Sequence, residues 1–301
     1  MKQIKLWWLA IRPKTLSITL SPVLCAVALV FHYQATINWL TAAVILSSAL
    51  LIQVATNLFN DVADFERGAD NAQRIGPLRV TASGLLSATQ VKNMAYGCFL
   101  FAFIFGIYLV YIGGWPIILI GLASISSGYA YTGGIKPIAY SPLGELFVIV
   151  FFGLIAVSSS VYLLSPEISR LDIYNSLWFG LALGCFAAAI LLVNNYRDLE
   201  GDIKANKLTL VYYLGRDVAK IVYSLLVTIP YFIILYLWLV GEVNLLSLLL
   251  TFITLIFALK LIHTLYISPI NQQLNKLLAK TAVLQLLYTV FLVLGIALNI
   301  N

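Results

Sequence analysis

Two stretches of the chain set asparagine and aspartate side chains at helical spacing. The first reads Asn57-Leu-Phe-Asn60-Asp61-Val-Ala-Asp64-Phe-Glu-Arg67-Gly-Ala-Asp70, the second Asn194-Asn195-Tyr-Arg197-Asp198-Leu-Glu-Gly-Asp202. On a helix Asn57, Asp61 and Asp64 fall at i, i+4 and i+7, and Asn194, Asp198 and Asp202 at i, i+4 and i+8. Each set therefore shares a face. Carboxylates gathered this closely repel one another and lose solvation unless a cation compensates. Carboxylate and amide oxygens suit hard Mg²⁺, which commonly takes one or two carboxylates together with substrate phosphates and water. Arg67, Arg74, Arg79, Arg197, Lys204 and Lys207 are interleaved with the acids and suit an anionic partner. The combination predicts a metal-bridged diphosphate site. No glycine-rich phosphate loop is present, which disfavours nucleotide hydrolysis. The bland alternative is a pair of solvated loops whose charges only set topology, and the recurrence of Asn-x3-Asp weighs against it.

The elements that carry these residues follow from composition. Of 301 residues, 61% are hydrophobic and only 10% charged, where a soluble domain carries about a quarter charged. Mean hydropathy is +0.97. A water-soluble globule, a disordered chain, a collagen-like fibre and a secreted disulfide scaffold are excluded. Nine apolar segments are expected near 16–33, 38–60, 93–112, 115–131, 143–164, 176–197, 219–240, 244–267 and 280–299. Each is too long for a strand and none alternates with period two, so all are read as helices. The expected architecture is all-α, a polytopic membrane protein of about nine transmembrane helices in a single domain over 1–301. Cys25, Cys98 and Cys185 each lie inside an apolar run and are read as packing residues.

Charge placement then orients the bundle. Counting turns from the N-terminus puts 17 of the 18 basic residues on one side and leaves only Arg170 on the other. The positive-inside rule assigns the crowded side, with the N-terminus, to the cytoplasm. Eight of the twelve acids fall in two stretches on that same side, after the second and sixth spans. The expected site faces the cytoplasm from the cytoplasmic (inner) membrane. No cleaved signal peptide and no nucleic-acid partner are expected, and the oligomeric state is left open. The two Asn-x3-Asp copies lie four helices apart, which suggests two related four-helix halves and one extra helix.

With these residues in view, the chain resembles the UbiA superfamily of intramembrane prenyltransferases. Asn60-Asp61-Val-Ala-Asp64 and Asp198-Leu-Glu-Gly-Asp202 match its two signatures. Within it the chain is most similar to the MenA-type 1,4-dihydroxy-2-naphthoate polyprenyltransferases. That likeness rests on Arg67-Gly68-Ala69-Asp70 running into Arg74-Ile75-Gly76-Pro77-Leu78-Arg79, and on Tyr131-Thr132-Gly133-Gly134 followed by Leu143-Gly144-Glu145. Asn194-Asn195-Tyr196-Arg197-Asp198 and Asn206-Lys207-Leu208-Thr209-Leu210 complete it. Arg67 departs from the lysine common at its position.

The resemblance implies a UbiA-like bundle around a central cavity, a polyprenyl diphosphate donor, 1,4-dihydroxy-2-naphthoate as acceptor and Mg²⁺ as cofactor. The implied product is demethylmenaquinol, formed with loss of carbon dioxide. Asp61, Asp64, Asp198 and Asp202 would act on the metal and Asn57 would add a neutral oxygen. Lys14, Arg74, Arg79 and Lys207 would hold diphosphate oxygens or the acceptor's carboxylate, with Asn194 beside them. Tyr129 and Tyr131 would face the allylic cation. Glu145 is expected to pair with a neighbour for structure. The rival readings are a sister enzyme acting on 4-hydroxybenzoate or homogentisate, and an ion-coupled transporter, whose site would lie near the bilayer midplane.

Overall fold

The structure is a computed structural model that describes residues 3–34, 36–70, 75–165 and 169–298. Ten helices account for most of these residues: α1 (Gln3–Ile11), α2 (Ser17–Gln34), α3 (Trp39–Glu66), α4 (Ala88–Gly113) and α5 (Trp115–Ala130). They continue with α6 (Gly144–Leu164), α7 (Arg170–Lys204), α8 (Leu210–Leu239), α9 (Leu245–Ile267) and α10 (Gln273–Ala297). Eight are long and apolar enough to cross a membrane, and α5 is a shorter apolar helix of 16 residues. Helices α2 to α10 are the nine expected segments. The short α1, with Leu6 and Ala10 buried, is an addition.

The boundaries differ most where charge interrupts the apolar pattern. Helix α3 runs on to Glu66 and α7 to Lys204, so Asp61, Asp64, Asp198 and Asp202 are on helices, while Asp70 follows the turn after α3. Helix α8 starts at Leu210, nine residues before the expected span, with Gly215 non-helical at φ 71° inside it. Local chemistry sets several starts. Asn38 caps α3 by accepting from the Thr41 N–H at 3.1 Å, and Ser87 with Gln90 forms a capping box on α4.

Helix α7 is the axis of the bundle. Its most apolar window is 78% buried against protein, against 28% for α4, which turns most of its surface outward. A helix apolar all round gives no preferred face, so the deciding feature is side-chain size. Gly180, Ala182, Gly184, Ala187, Ala188 and Ala189 let neighbouring backbones approach α7 closely. The closest approach is to α6, where a π-helical turn spans Val150–Ile155. A Cβ on Gly153 would lie 2.7 Å from the Gly184 Cα. The π turn shifts the phase of α6, and Phe147, Phe151 and Ile155 all face the same interior cavity. All three cysteines are buried and unlinked.

Gly153→Leu should force α6 off α7. The expected loss is about 1–3 kcal/mol or more, read as a lowered thermal midpoint of the detergent-solubilised protein.

Candidate active site

Helices α3 and α7 end in the same way. After α3 the chain reverses at Gly68, whose φ of 73° suits glycine. The Ala69 and Asp70 N–H groups then both donate to the Asp64 carbonyl, at 2.8 and 3.2 Å. This brings the Asp70 carboxylate to 3.2 Å from Arg79 Nε. After α7 the reversal falls on Asn206 at φ 55°, a residue that tolerates the left-handed region. The Lys207 N–H donates to the Asp202 carbonyl at 2.8 Å, and its ammonium lies 3.5 Å from Asp202 Oδ1.

Tyr140, on a short 3-10 turn between α5 and α6, joins the two ends. Its hydroxyl donates to Asp64 Oδ1 at 2.9 Å. Its ring lies 5.2 Å from the Arg67 guanidinium and 5.6 Å from Lys207 Nζ. Burial, and then the neighbouring Asp64 carboxylate, push the Tyr140 phenol above its ordinary range, so it remains a neutral donor. Arg67 donates to the Thr132 and Gly134 carbonyls, the latter at 2.7 Å. Two carbonyls held by one planar fork explain an arginine where lysine is common. They also make Arg67 a clamp on the Tyr131–Gly134 turn rather than an anion ligand.

Arg197 is similarly redirected. It is fully buried and donates to Asp198 Oδ1 and Oδ2 at 2.7 and 2.5 Å, to Asn194 Oδ1 at 2.8 Å and to Asn275 Oδ1 at 2.7 Å. Asn275, on α10, in turn donates to the Ile75 carbonyl at 3.3 Å. Arg197 therefore ties α7 to α10 and to the segment that leads to Arg79.

These groups surround the polar end of a cavity of about 510 Å³. Arg12, Asn57, Asn60, Asp64, Arg79, Tyr131, Asn194, Asn195 and Lys207 line that end. The remainder is mostly apolar and carries no charged side chain, with Ile45, Ala102, Ile117, Phe151 and Leu163 among its walls and Thr19, Ser48, Gln53 and Ser160 as neutral polar members.

The residues anticipated from sequence divide into three groups. Asn57, Asp64, Arg79, Tyr131, Asn194 and Lys207 line the cavity. Asp61, Asp198 and Asp202 stand just behind its wall: Asp61 Oδ1 accepts from the Thr81 N–H at 3.1 Å, Asp198 meets Arg197, and Asp202 meets Lys207. Lys14 is exposed and outside the wall, and its place is taken by Arg12, two residues earlier in the same Arg-Pro-Lys run. Tyr129 is also outside, packed on Phe59 with ring centroids 4.9 Å apart. Arg74 lies outside the described residues. Arg12, Asn60, Tyr140, Asn195 and Asn275 were not singled out by spacing. For Asn60 the signal was present, three residues after Asn57 and four before Asp64 on one helix face.

The donor set fits a hard divalent cation. Asn60 Oδ1 and Asp202 Oδ2 are buried and accept no hydrogen bond among the described residues. The Asn57 amide spends its N–H on the Ile11 carbonyl at 3.1 Å, which leaves its oxygen available. Among the described residues no three acidic, histidine or cysteine side chains form a ready-made metal cage. Mg²⁺ commonly draws part of its shell from water and substrate phosphates.

The profile of the UbiA prenyltransferase family matches residues 19–297. The chain belongs to the UbiA prenyltransferase family. A 1,4-dihydroxy-2-naphthoate octaprenyltransferase of Haemophilus influenzae is 33% identical over 235 residues, which cover 76% of this chain and 75% of the relative. Its namesake in Bacillus subtilis is 34% identical over 236 residues, covering 78% of this chain and 73% of the relative. Among solved structures, a UbiA homolog from Archaeoglobus fulgidus bound to DMAPP and Mg²⁺ superposes with a TM-score of 0.67 at 16% identity. That match covers 97% of this chain and 99% of the homolog and shows a shared fold. In this UbiA-family bundle, then, α2 to α7 with Leu278 of α10 enclose a cavity whose polar end is built by α3, α7 and the turns beside them.

Tyr140→Phe removes the hydrogen bond to Asp64 and keeps the ring between Arg67 and Lys207. Turnover should fall about tenfold, the value of a hydrogen bond to a charged group. The raised phenol keeps its proton above the ordinary tyrosine value. The ratio of wild-type to variant rate should therefore stay level up to about pH 10, measured as a pH–rate profile.

Proposed function

We propose that the protein transfers a polyprenyl group from polyprenyl diphosphate to 1,4-dihydroxy-2-naphthoate with loss of carbon dioxide, giving demethylmenaquinol for menaquinone biosynthesis. The observation that carries this reading is one cavity with two unlike ends: Asp64, Arg79 and Lys207 at one, and an apolar chamber behind them. Relatives that bear the naphthoate enzyme's name, across about three quarters of both chains, support the choice of acceptor. We further propose that the chain works as a single catalytic unit in the inner membrane. The one-sided basic residues support a cytoplasmic N-terminus and a site that opens to the cytoplasm.

Each part of the reaction has residues suited to it. Arg12, Arg79 and Lys207 hold the diphosphate oxygens, and Asn194 adds a neutral donor. We assign Asp61, Asp64, Asp198 and Asp202, with Asn57, to hold Mg²⁺. A bound Mg²⁺ neutralises the diphosphate and so improves it as a leaving group. The prenyl C–O bond breaks with its electron pair going to the diphosphate. The allylic cation that remains is kept from water by the walls of Ile45, Ile117 and Phe151. Tyr131, Phe147 and Phe151 offer ring faces to that cation. The ring carbon bearing the acceptor's carboxylate attacks it, and the bond to the carboxylate then breaks and returns its electron pair to the ring.

Purified protein with one polyprenyl diphosphate, Mg²⁺ and a panel of acceptors should prenylate 1,4-dihydroxy-2-naphthoate. Consumption of 4-hydroxybenzoate or homogentisate in its place overturns the acceptor assignment. Cation flux in liposomes without any prenyl transfer would instead support a transporter. EDTA should stop turnover and added Mg²⁺ should restore it. Alanine at Asp61, Asp64, Asp198 or Asp202 should lower kcat by about a hundredfold or more, on the scale of losing one preorganised electrostatic group. Near-normal turnover in any one of the four removes that residue from the set.

A further inference from the structure

Asn194 and Asn195 are adjacent on α7 and both line the cavity, yet they are held in opposite senses. The Asn194 oxygen accepts from Arg197 Nη2 at 2.8 Å. An arginine only donates, so the amide must turn its oxygen to Arg197 and leave its NH₂ for the cavity. The Asn195 NH₂ donates to Glu145 Oε1 at 2.8 Å. With its NH₂ turned to Glu145, this amide leaves its oxygen for the cavity. Glu145 is itself buried at 4% exposure, and its Oε2 accepts no hydrogen bond among the described residues. Releasing Asn195 would therefore strand a buried carboxylate, and the hold is firm.

The two asparagines thus present opposite polarity to one ligand space. A donor NH₂ suits the anionic oxygens of a diphosphate or carboxylate. A fixed amide oxygen repels them and suits a ligand that brings its own proton, or a cation. Of the two substrates, a diphosphate and a hydroxylated aromatic acid, the group that brings such a proton is a ring hydroxyl.

We propose that Asn195 is an acceptor-binding residue that takes the hydrogen bond of the arene's ring hydroxyl, and that Glu145 is a positioning residue that fixes the polarity of Asn195. The inference rests on the prenyl-transfer reading and deepens it. The pair distinguishes the acceptor from the donor by the presence of an O–H. It also gives Glu145, expected from sequence to serve structure alone, a part in selectivity.

The test compares KM for 1,4-dihydroxy-2-naphthoate and for the polyprenyl diphosphate across four proteins, with thermal midpoints measured alongside. Asn195→Ala should raise the acceptor KM about tenfold or more, the scale of one lost hydrogen bond that is not replaced, and leave the donor KM within about twofold. Glu145→Gln frees the Asn195 amide to turn over, and it should likewise raise the acceptor KM alone. Glu145→Gln with Asn195→Asp reverses the pair while still presenting an oxygen to the cavity, and it should bring the acceptor KM back towards wild type. An unchanged acceptor KM in Asn195→Ala overturns the proposal, as does an equal rise in both KM values. Should the double variant fail to fold, the two single variants decide the matter. Equilibrium binding of the naphthoate without donor separates this inference from the reading it rests on. A wild type that binds the arene, loses that binding in Asn195→Ala and transfers no prenyl group overturns the transfer reading alone.

Discussion

Carboxylates buried in a bundle of apolar helices lose their water, and each must find a donor within the protein or repel its neighbours. The rim of this protein is organised around that need. Asp61 is met by the Thr81 N–H, Asp64 by Tyr140, Asp70 by Arg79, Asp198 by Arg197 and Asp202 by Lys207. Four of the five partners come from three connections, the segment between α3 and α4, the turn between α5 and α6, and the reversal after α7; the fifth, Arg197, lies on α7 itself. Buried ion pairs of this kind add little net stability, but removing one partner leaves an uncompensated charge that costs about 3–5 kcal/mol. Their effect here is to fix position. Each connection has one place in which the acids are satisfied, and that place brings Arg79 and Lys207 to the cavity mouth.

The same constraint explains why the cavity has two unlike ends. Charge is kept where donors gather, at the ends of α3 and α7 and at the start of α6. Further in, the walls are mostly Ile, Leu, Val and Phe, and polar residues such as Thr19, Gln53 and Ser48 are neutral and spend hydrogen bonds within the protein. An amphiphile with a charged head and a long hydrocarbon tail matches this division without further adjustment. The π turn in α6 and the small residues of α7 serve the same end, since they let α6 sit close to α7 while turning phenylalanine rings inward.

Much of this was legible in the sequence, because span length and charge placement are one-dimensional properties. Apolar runs gave the nine spans, and repeated Asn-x3-Asp gave the two acidic helix ends that the fold brings together. What escaped was rotational phase and partnership. Asn57, Asn60 and Asp64 form the face of α3 that lines the cavity, and Asp61, about 100° from Asn60 on the helical wheel, is turned to Thr81. The spacing rule that grouped Asn57, Asp61 and Asp64 spans too wide an arc to tell these apart. Arg67 and Arg197 read as anion ligands by charge alone, while their true partners, Gly134 and Asn275, lie 67 and 78 residues away in sequence. Lys14 and Tyr129 missed the cavity for a related reason: each has a neighbour of similar type, Arg12 or Tyr131, on the correct side.

The two Asn-x3-Asp copies are alike in sequence and unlike in use. In α3 the third member, Asp64, follows Asn57 by seven residues, close to two full turns, so both side chains look into the cavity. In α7 the third member, Asp202, follows Asn194 by eight residues and stands behind the wall, where the returning chain covers it with Lys207. One copy thus presents a carboxylate to the cavity and the other an ammonium, with the Tyr140 ring between them. The difference of one residue in spacing, followed by a left-handed turn at Asn206, makes the site asymmetric, so that an anion has a side on which to bind.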